Sequence, residues 1–252
     1  MRPRPRSSKG DQDGAIADYD QARHIDPSFV LALTNRGNAR RAKGDQDGAI
    51  ADHDRALTID PRFVMALNNR GNARLAKGDS AGAIADYDLA LAIDPRLARA
   101  LYNRGNARKA KGDVDGAIAD YDLALAIDPR YAEAFHNRGN ARRVKHDLDG
   151  AIADYDQAVA IQPRFAEAFL SRGNVRLATG DANRAIADYD HALAVEPGFW
   201  RAAANRGRLF ARCGRTPESI ASLQLAWRHC DEPAERENIA ALIRRLGGTP
   251  RD

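Results

Sequence analysis

Asparagine recurs at two places in a regularly spaced pattern along this sequence. Within each series the spacing is 34 residues or a multiple of it. The first series comprises Asn35, Asn69, Asn103, Asn137 and Asn205, and the second comprises Asn38, Asn72, Asn106, Asn140 and Asn174. A carboxamide offers a donor and an acceptor, so it can pair with the N–H and the C=O of one peptide unit. A ladder of such groups would bind an extended backbone without reading its sequence.

The asparagines share a helical stripe with residues that vary between repeats. In the stretch from residue 98 the stripe comprises Arg99, Tyr102, Asn103, Asn106 and Lys109, at offsets of 0, 3, 4, 7 and 10. At helical spacing these side chains lie on one face. The varying places are apolar and neutral in the first repeats and mixed in charge from the third onward, where His136 and Arg143 also belong to the stripe. Any selectivity would therefore come from these varying places.

No arrangement typical of catalysis or metal binding accompanies the asparagines. The six histidines, at positions 24, 53, 136, 146, 191 and 229, lack the ligand spacing of a motif such as HExxH. The sequence has neither a phosphate-binding loop nor a GxSxG elbow. Neighbouring carboxylates such as Asp86 and Asp88 fall on different sides of a helix, as on a solvated surface. We therefore expect no catalytic residue, no metal, no cofactor and no enzymatic activity.

The asparagines are placed by a 34-residue repeat of two helices. Gly71 has counterparts at positions 37, 105, 139, 173 and 207, and Pro95 has counterparts at 27, 61, 129, 163 and 197. A fixed period of this length is typical of stacked repeats that bury their apolar faces against one another. In the third full repeat, Gly112 is expected to end the first helix in a left-handed conformation. Asp113 would then cap the second helix, and Pro129 would end it.

The period divides the chain into segments. Residues 1–9, expected to be disordered or irregular, precede a half repeat at 10–29, full repeats at 30–63, 64–97, 98–131, 132–165 and 166–199, a degenerate repeat at 200–233 and a capping helix at 234–248. In the degenerate repeat we expect Thr216 to cap a helix that starts at Pro217. The half repeat exposes an apolar face bearing Ala15, Tyr19 and Ala22. Because terminal repeats normally have a polar outer face, we expect either chain upstream or self-association through this N-terminal helix.

A pair of opposite charges also repeats with the same period. An arginine precedes each repeated glycine, and an aspartate follows the first five of these arginines after 16 residues. The pairs are Arg36 and Asp52, Arg70 and Asp86, Arg104 and Asp120, Arg138 and Asp154, and Arg172 and Asp188. We expect an ion pair within each of these repeats, with the aliphatic arginine stems covering the core. Ser222 takes the place of the aspartate in the last repeat.

Composition sets broader limits on function and location. There are 39 basic and 35 acidic residues, a mixed surface rather than a polycation, so nucleic-acid binding has weak support. No apolar run approaches the roughly 18 residues of a membrane-spanning helix. A secretion signal is not recognisable either, so a cytoplasmic location without membrane association is expected. Cys213 and Cys230 have no metal or disulfide spacing and are expected to be inert.

The repeat resembles the tetratricopeptide repeat. The resemblance rests on the period and on Gly71, Ala83, Tyr87, Ala90 and Pro95 with their counterparts. It implies an all-α, right-handed superhelical solenoid of antiparallel helix pairs, whose first helices line a concave groove for extended peptides. Other members use an asparagine at the place of Asn103 to contact peptide backbone, so the resemblance implies the same role here.

Two positions depart from the usual pattern of this family. Arg70 and its counterparts stand where leucine is usual, and Arg74 and its counterparts stand where a large apolar residue is usual. In chaperone-binding members a lysine at the place of Tyr102 helps to grip a terminal carboxylate. The equivalent places of the first four full repeats, Thr34, Asn68, Tyr102 and His136, do not supply that lysine. This clamp is therefore not recognisable.

A protein-protein interaction scaffold that binds an extended peptide or partner segment is the function we expect. Two alternatives stay open, a helical-repeat nucleic-acid binder and the interaction arm of a larger enzyme or assembly. Glu133 and Glu167 interrupt positive charge along the stripe, which disfavours nucleic acid. RNA binding with a steep salt dependence would favour the first alternative, and salt-insensitive peptide capture would favour the scaffold.

Overall fold

The computed structural model describes residues 11–250, and within that range the backbone forms fourteen α-helices and no β-strand. The chain divides into two compact units, of which unit 1 ends at Pro129 and unit 2 begins at Arg130. Unit 1 contains α1 (Gln12–Ile25), α2 (Val30–Ala42), α3 (Gln46–Ile59), α4 (Val64–Ala76), α5 (Ser80–Ile93), α6 (Ala98–Ala110) and α7 (Val114–Ile127). Unit 2 contains α8 (Ala132–Val144), α9 (Leu148–Ile161), α10 (Ala166–Ala178), α11 (Ala182–Val195), α12 (Trp200–Arg212), α13 (Thr216–His229) and α14 (Pro233–Arg245). The expected all-α class is confirmed, and the segment at 1–9 lies outside the described residues.

The turn between the two helices of a repeat follows the predicted signals. Gly112, after α6, has a φ of 86°, the left-handed conformation that glycine adopts at low cost. The Asp113 side chain then accepts a hydrogen bond of 2.9 Å from the N–H of Gly116 and caps α7. In the fourth full repeat His146 occupies the glycine place and keeps a positive φ of 62°. The backbone geometry of the repeat is therefore retained even where the residue is not glycine.

A buried tyrosine against a glycine fixes how closely the two helices of a repeat approach. The Tyr121 side chain on α7 is fully buried, as are Ala117 and Ala124 on the same face. A Cβ atom added to Gly105 on α6 would lie 2.7 Å from Cε1 of Tyr121. Real Cβ contacts are longer than this, so the glycine is required by the approach of the ring. The first helices of unit 1 also contact one another in chain order, α2 with α4 and α4 with α6.

α1 is the second helix of the half repeat, and residues 11–250 contain no first helix of that repeat. None of the residues of α1 is buried, and Ala15, Tyr19 and Ala22 are only half-buried. Tyr19 occupies the place that fully buried Tyr87 holds on α5. This face is thus less covered than the equivalent face of α5, and self-association through it stays a prediction.

The last helices of unit 2 close its core. Ile239 and Ile243 of α14 are fully buried in one cluster with Leu223 and Ala226 of α13. Leu246, which follows the helix, packs against the same cluster. A helix therefore covers the core in this region, and α14 begins at Pro233, one residue before the expected start.

The predicted cap of α13 is wrong by one residue. Thr216 is the first residue of the helix, and the N-cap is Arg215, whose side chain makes no capping hydrogen bond. Arg215 lies 34 residues after Asp181, the N-cap of α11. The repeat period therefore sets where the helix starts, even though the capping side chain has been lost. Among the described residues, no helix combines the length and the apolar character needed to cross a membrane.

Candidate functional site

A buried ion pair joins the two helices of each full repeat. Nε and Nη2 of Arg104 donate to the two carboxylate oxygens of Asp120 at 3.0 and 2.6 Å. Nη1 of Arg108 lies 2.9 Å from Oδ2 of the same carboxylate, which is 1% exposed. Equivalent pairs join Arg36 with Asp52, Arg70 with Asp86, Arg138 with Asp154, and Arg172 with Asp188. The expected ion pairs within the repeats are confirmed.

The same arginines also bind the preceding repeat, which the sequence analysis did not predict. Nη1 of Arg104 donates to Oδ1 of Asp88 at 2.6 Å, and the Asp88 side chain is 51% exposed. Equivalent bonds join Arg36 with Asp20, Arg70 with Asp54, Arg172 with Asp156, and Arg206 with Asp190. The signal is the second aspartate of each Asp-Tyr-Asp triplet, or of Asp-His-Asp at 52–54, which recurs 16 residues before the next arginine. Both aspartates of the triplet therefore form ion pairs, the first within its own repeat and the second with the arginine of the next repeat.

In the last repeat of unit 2, neutral residues stand at the places of both aspartates, and the series of ion pairs ends there. Nε of Arg206 donates to the hydroxyl of Ser222 at 3.1 Å, in place of a carboxylate. Gln224 stands at the place of the second aspartate and donates to the backbone carbonyl of Thr249 at 3.0 Å. No repeat follows in the described residues, so a second carboxylate here would lack its arginine.

The second asparagine series binds the tyrosine of its own repeat. The Tyr87 hydroxyl donates to Oδ1 of Asn72 at 2.8 Å. Burial raises the pKa of these tyrosines, so their hydroxyls stay protonated donors. Equivalent bonds join Tyr121 with Asn106, Tyr155 with Asn140, and Tyr189 with Asn174. The carbonyl oxygens of this series therefore hold the two helices of a repeat together.

His53 breaks the tyrosine–asparagine pattern. It replaces the tyrosine of α3, is fully buried, and neither of its ring nitrogens has a hydrogen-bond partner within residues 11–250. Asn38, which stands at the place of Asn72 in this repeat, makes no hydrogen bond to the ring. Burial lowers the pKa of His53 to about 4. This repeat therefore lacks a hydrogen bond that four others have.

The first asparagine series of unit 1 is partly used between neighbouring helices. Nδ2 of Asn103 on α6 donates to Oδ1 of Asn68 on α4 at 3.1 Å. Nδ2 of Asn68 in turn lies 3.4 Å from Oδ1 of Asn69. The side chains of Asn69 and Asn103 are half-buried. These hydrogen bonds leave Nδ2 of Asn69 and Oδ1 of Asn103 without partners among residues 11–250. The half-buried Asn35 makes no side-chain hydrogen bond within the same residues.

In unit 2 the corresponding amides are more fully used. Nδ2 of Asn205 donates to Oδ1 of Asn174 at 2.8 Å, and Arg208 donates to Oδ1 of Asn205 at 3.3 Å. Nε2 of His136 lies 3.1 Å from the Ser171 hydroxyl, and Nδ2 of Asn140 lies 3.3 Å from the same nitrogen. Asn137 on α8 is half-buried, and Arg143 on the same helix is exposed. Open amide groups are therefore a feature of unit 1.

One stripe of residues runs across the first helices of unit 1, and we call it the unit-1 stripe; within it Thr34 and Asn68 are buried. It comprises Leu31, Thr34, Asn38 and Arg41 on α2, Met65, Asn68, Asn72 and Leu75 on α4, and Arg99, Tyr102, Asn106 and Lys109 on α6. Leu31 and Met65 are 42% and 50% exposed, and Arg41 and Arg99 are exposed. Lys109 is half-buried, and burial lowers its pKa. The first-series asparagines Asn35, Asn69 and Asn103 lie beside the stripe on the same helices.

A metal site is not present in the part of the chain that the structure describes. No group of three or more histidines, cysteines, aspartates or glutamates there is arranged to hold an ion. The buried aspartates, which could otherwise act as acids, are each bound by two arginines. Cys230 is buried, and Cys213 is exposed and free.

These features define a helical-repeat protein built from a two-helix unit. The sequence profile of the TPR repeat matches residues 37–78, 71–112, 105–143 and 139–180, and a second tetratricopeptide repeat profile matches residues 170–234. The chain belongs to the tetratricopeptide repeat family. A sequence comparison with curated proteins gave no significant match.

Several solved structures have the same fold. MamA is 29% identical with a TM-score of 0.59, and the match covers 64% of this chain and 94% of MamA. A tetratricopeptide repeat protein from Parabacteroides merdae is 20% identical with a TM-score of 0.70, covering 94% of this chain and 93% of that protein. YrrB, described as a TPR protein with an unusual peptide-binding site, is 20% identical with a TM-score of 0.57, covering 73% of this chain and 95% of YrrB.

Proposed function

We propose that this protein is a non-enzymatic scaffold that binds an extended peptide or partner segment across the first helices of unit 1. The observation that carries the proposal is the set of open carboxamide groups on neighbouring helices. Nδ2 of Asn69 and Oδ1 of Asn103 have no partner among residues 11–250, and Asn35 offers both of its groups. A donor and an acceptor on adjacent helices match the C=O and N–H groups of an extended backbone.

Rigid placement supports this role of the asparagines. Arg36, Arg70 and Arg104 each follow one of them directly and are held by buried carboxylates. The helix face that carries the asparagines is therefore fixed before any ligand binds. A preorganised face loses less conformational entropy on binding than a flexible one.

The second asparagine series has a different part in this proposal. Oδ1 of Asn72 is occupied by the Tyr87 hydroxyl, which leaves its NH2 group as the available donor. Asn38 has no tyrosine to bind, because His53 stands in that place. We therefore assign the main backbone contacts to Asn35, Asn69 and Asn103, and a supporting part to the second series.

Selection of peptides from a displayed random library on the full chain tests the proposal. The selected peptide is labelled, and its binding is measured by fluorescence anisotropy for the wild type and for a variant with Asn35→Ala, Asn69→Ala and Asn103→Ala. At about 1 kcal/mol for each lost hydrogen bond, affinity should fall by about a hundredfold or more, with unchanged helical circular dichroism.

Asn183→Ala is the matched control for this experiment. Asn183 is exposed on the second helix α11, so its substitution should leave the affinity unchanged. Equal affinity of the triple variant and the wild type, with the fold intact, would show that these asparagines do not hold the peptide.

A further inference from the structure

The first helices of unit 1 carry positive charge without any compensating acid of their own. The sequences of α2, α4 and α6 contain no aspartate or glutamate. Six of their arginines are bound by the buried aspartates of the second helices: Arg36, Arg40, Arg70, Arg74, Arg104 and Arg108. Three cations remain, Arg41, Arg99 and Lys109, and none has a carboxylate partner within residues 11–250. The unit-1 stripe is therefore a cationic surface.

Apolar side chains precede a cation along one row of this stripe. Leu31 on α2 and Met65 on α4 stand at the place that Arg99 holds on α6, and both are about half exposed. Lys109 is on α6 as well, ten residues after Arg99 and on the same side of the helix. Along the row of Leu31, Met65 and Arg99, a ligand that crosses from α2 to α6 would thus meet two apolar side chains and then a cation. The row of Lys109 differs, because it holds Arg41 on α2 and Leu75 on α4.

Unit 2 shows that the repeat itself does not impose this charge. Exposed Glu133 on α8 and exposed Glu167 on α10 occupy the place of Arg99 in their repeats. α8 and α10 share the repeat motif and its ion pairs with α6, but they carry glutamate at the place where α6 carries Arg99. The cationic stripe is therefore a property of the residues that vary in unit 1.

Helix spacing sets the spacing of the ligand's side chains. Packed helices lie roughly 10 Å apart, and an extended chain rises about 3.3 Å per residue, so one helix corresponds to about three residues of peptide. We propose that the unit-1 stripe selects an extended peptide with two apolar side chains about three residues apart, followed by acidic residues that meet Arg99 and Lys109. This inference rests on the proposed function and adds the chemistry of the ligand.

A peptide fits this surface better than single-stranded nucleic acid does. Exposed Leu31 and Met65 offer contacts to apolar side chains, which a phosphate backbone lacks. Single-strand binding surfaces use exposed aromatic rings on which bases stack. Tyr102, the aromatic residue of the unit-1 stripe, is half-buried and packs its ring at 46° against Tyr121, with 6.0 Å between centroids.

The test uses four labelled peptides of about twelve residues, a length that spans the three helices. The first has two leucines three residues apart, followed by two glutamates, in a glycine–serine background, and both of its ends are blocked. Two others replace the glutamates by glutamines or by lysines, and the fourth replaces the leucines by serines. An oligouridine of similar length is the nucleic-acid probe. Binding to the full chain is measured by anisotropy at low and at physiological salt.

We expect the glutamate peptide to bind about tenfold tighter than the glutamine peptide and about a hundredfold tighter than the lysine peptide at low salt. Its affinity should fall with salt and should fall about tenfold when serine replaces leucine. A variant with Arg99→Glu and Lys109→Glu should reverse the preference, so that the lysine peptide binds tighter. Arg55→Glu, on the second helix α3, is the control and should leave the order unchanged.

The outcomes separate this inference from the proposed function. If the glutamine and lysine peptides bind as tightly as the glutamate peptide, and the triple asparagine variant weakens all three, the scaffold stands and the acidic preference is wrong. If oligouridine binds tighter than every peptide and the charge-reversed variant loses it, the ligand is nucleic acid and both proposals fail. If no peptide binds at about 1 mM, both proposals fail as well.

Discussion

Arg104 and Asp120 form a two-point ion pair across the helices of one repeat, with Nε–Oδ2 and Nη2–Oδ1 distances of 3.0 and 2.6 Å. The carboxylate is 1% exposed and also binds Arg108, so Asp120→Asn would leave two guanidinium groups without their anion. Removing one partner of a buried pair costs about 3 kcal/mol or more, and we expect that loss in the free energy of unfolding measured with urea. Asp88→Asn removes the exposed partner of the same Arg104 and should cost about 1 kcal/mol or less. Equal losses for the two variants would contradict this assignment.

The two asparagine series should respond differently to truncation. Asn72→Ala removes the acceptor of the buried Tyr87 hydroxyl and should lower the free energy of unfolding by about 1–2 kcal/mol. Asn35→Ala removes a side chain without hydrogen bonds in the described part of the chain, so its effect should stay within about 0.5 kcal/mol. Urea denaturation of the two variants checks this difference. A large loss for Asn35→Ala would show that the first series is also structural.

Replacing His53 by tyrosine should stabilise unit 1. The histidine is buried with both ring nitrogens unpaired, while tyrosine at this place binds the asparagine of its repeat in four other cases. The new hydroxyl should donate to Asn38 and add about 1 kcal/mol to the free energy of unfolding at pH 7. The double variant with Asn38→Ala is the control, because it should lose that gain. No gain in the single variant would show that the backbone there does not accept the tyrosine.

His53 should also make the wild type sensitive to mild acid. Burial lowers its pKa in the folded chain to about 4, below the ordinary value of 6.5, so the unfolded chain binds the proton first. Stability is complete above pH 6.5 and is lost as the pH falls from there toward about 4. Between pH 7 and pH 5 this amounts to about 2 kcal/mol, at 1.36 kcal/mol per pKa unit. His53→Tyr should remove this part of the pH dependence, and an unchanged pH profile would contradict the assignment.

Substitutions at two of the left-handed turn positions should change the stability of the protein in opposite directions. Gly78 has a φ of 84° with open space around it, so Gly78→Ala should cost about 1 kcal/mol through backbone strain alone. His146 already occupies the left-handed region with a φ of 62°, so His146→Gly should raise stability by about 0.5 kcal/mol. Thermal unfolding of both variants checks the signs. The same sign for both would mean that side-chain contacts, rather than backbone conformation, dominate at these hinges.

The repeated elements could be predicted from the sequence because each signal acts locally and is repeated. Gly112, Asp113 and Pro129 define one helix pair within the third full repeat, and the same 34-residue spacing confirms it several times over. The pairing of Arg104 with Asp120 followed from one helical face meeting another within the repeat. Thr216 was misplaced because its residue type suggested a cap, while the repeat period placed the start of α13 one residue earlier.

Other features depend on contacts between repeats or on side-chain directions, and the repeat pattern does not show them. Arg104 also binds Asp88 because two repeats stack, which a pattern within a single repeat does not show. The bond from Tyr87 to Asn72 required the side-chain directions of both helices. Which amide groups of Asn69 and Asn103 stay open depends on Asn68, which stands at a place where the residue type varies between repeats.

Each repeat built on the Asp120 pattern carries two cations and two anions in its framework, Arg104 and Arg108 against Asp120 and Asp122. A 34-residue segment of this kind is electrically balanced before the variable positions are counted. Gene duplication could therefore lengthen or shorten such an array without accumulating framework charge. The fifteen-residue stretch that is identical at 82–96 and 116–130 is the kind of trace that such copying leaves. Evolution could then adjust ligand preference at the open places while the framework stayed constant.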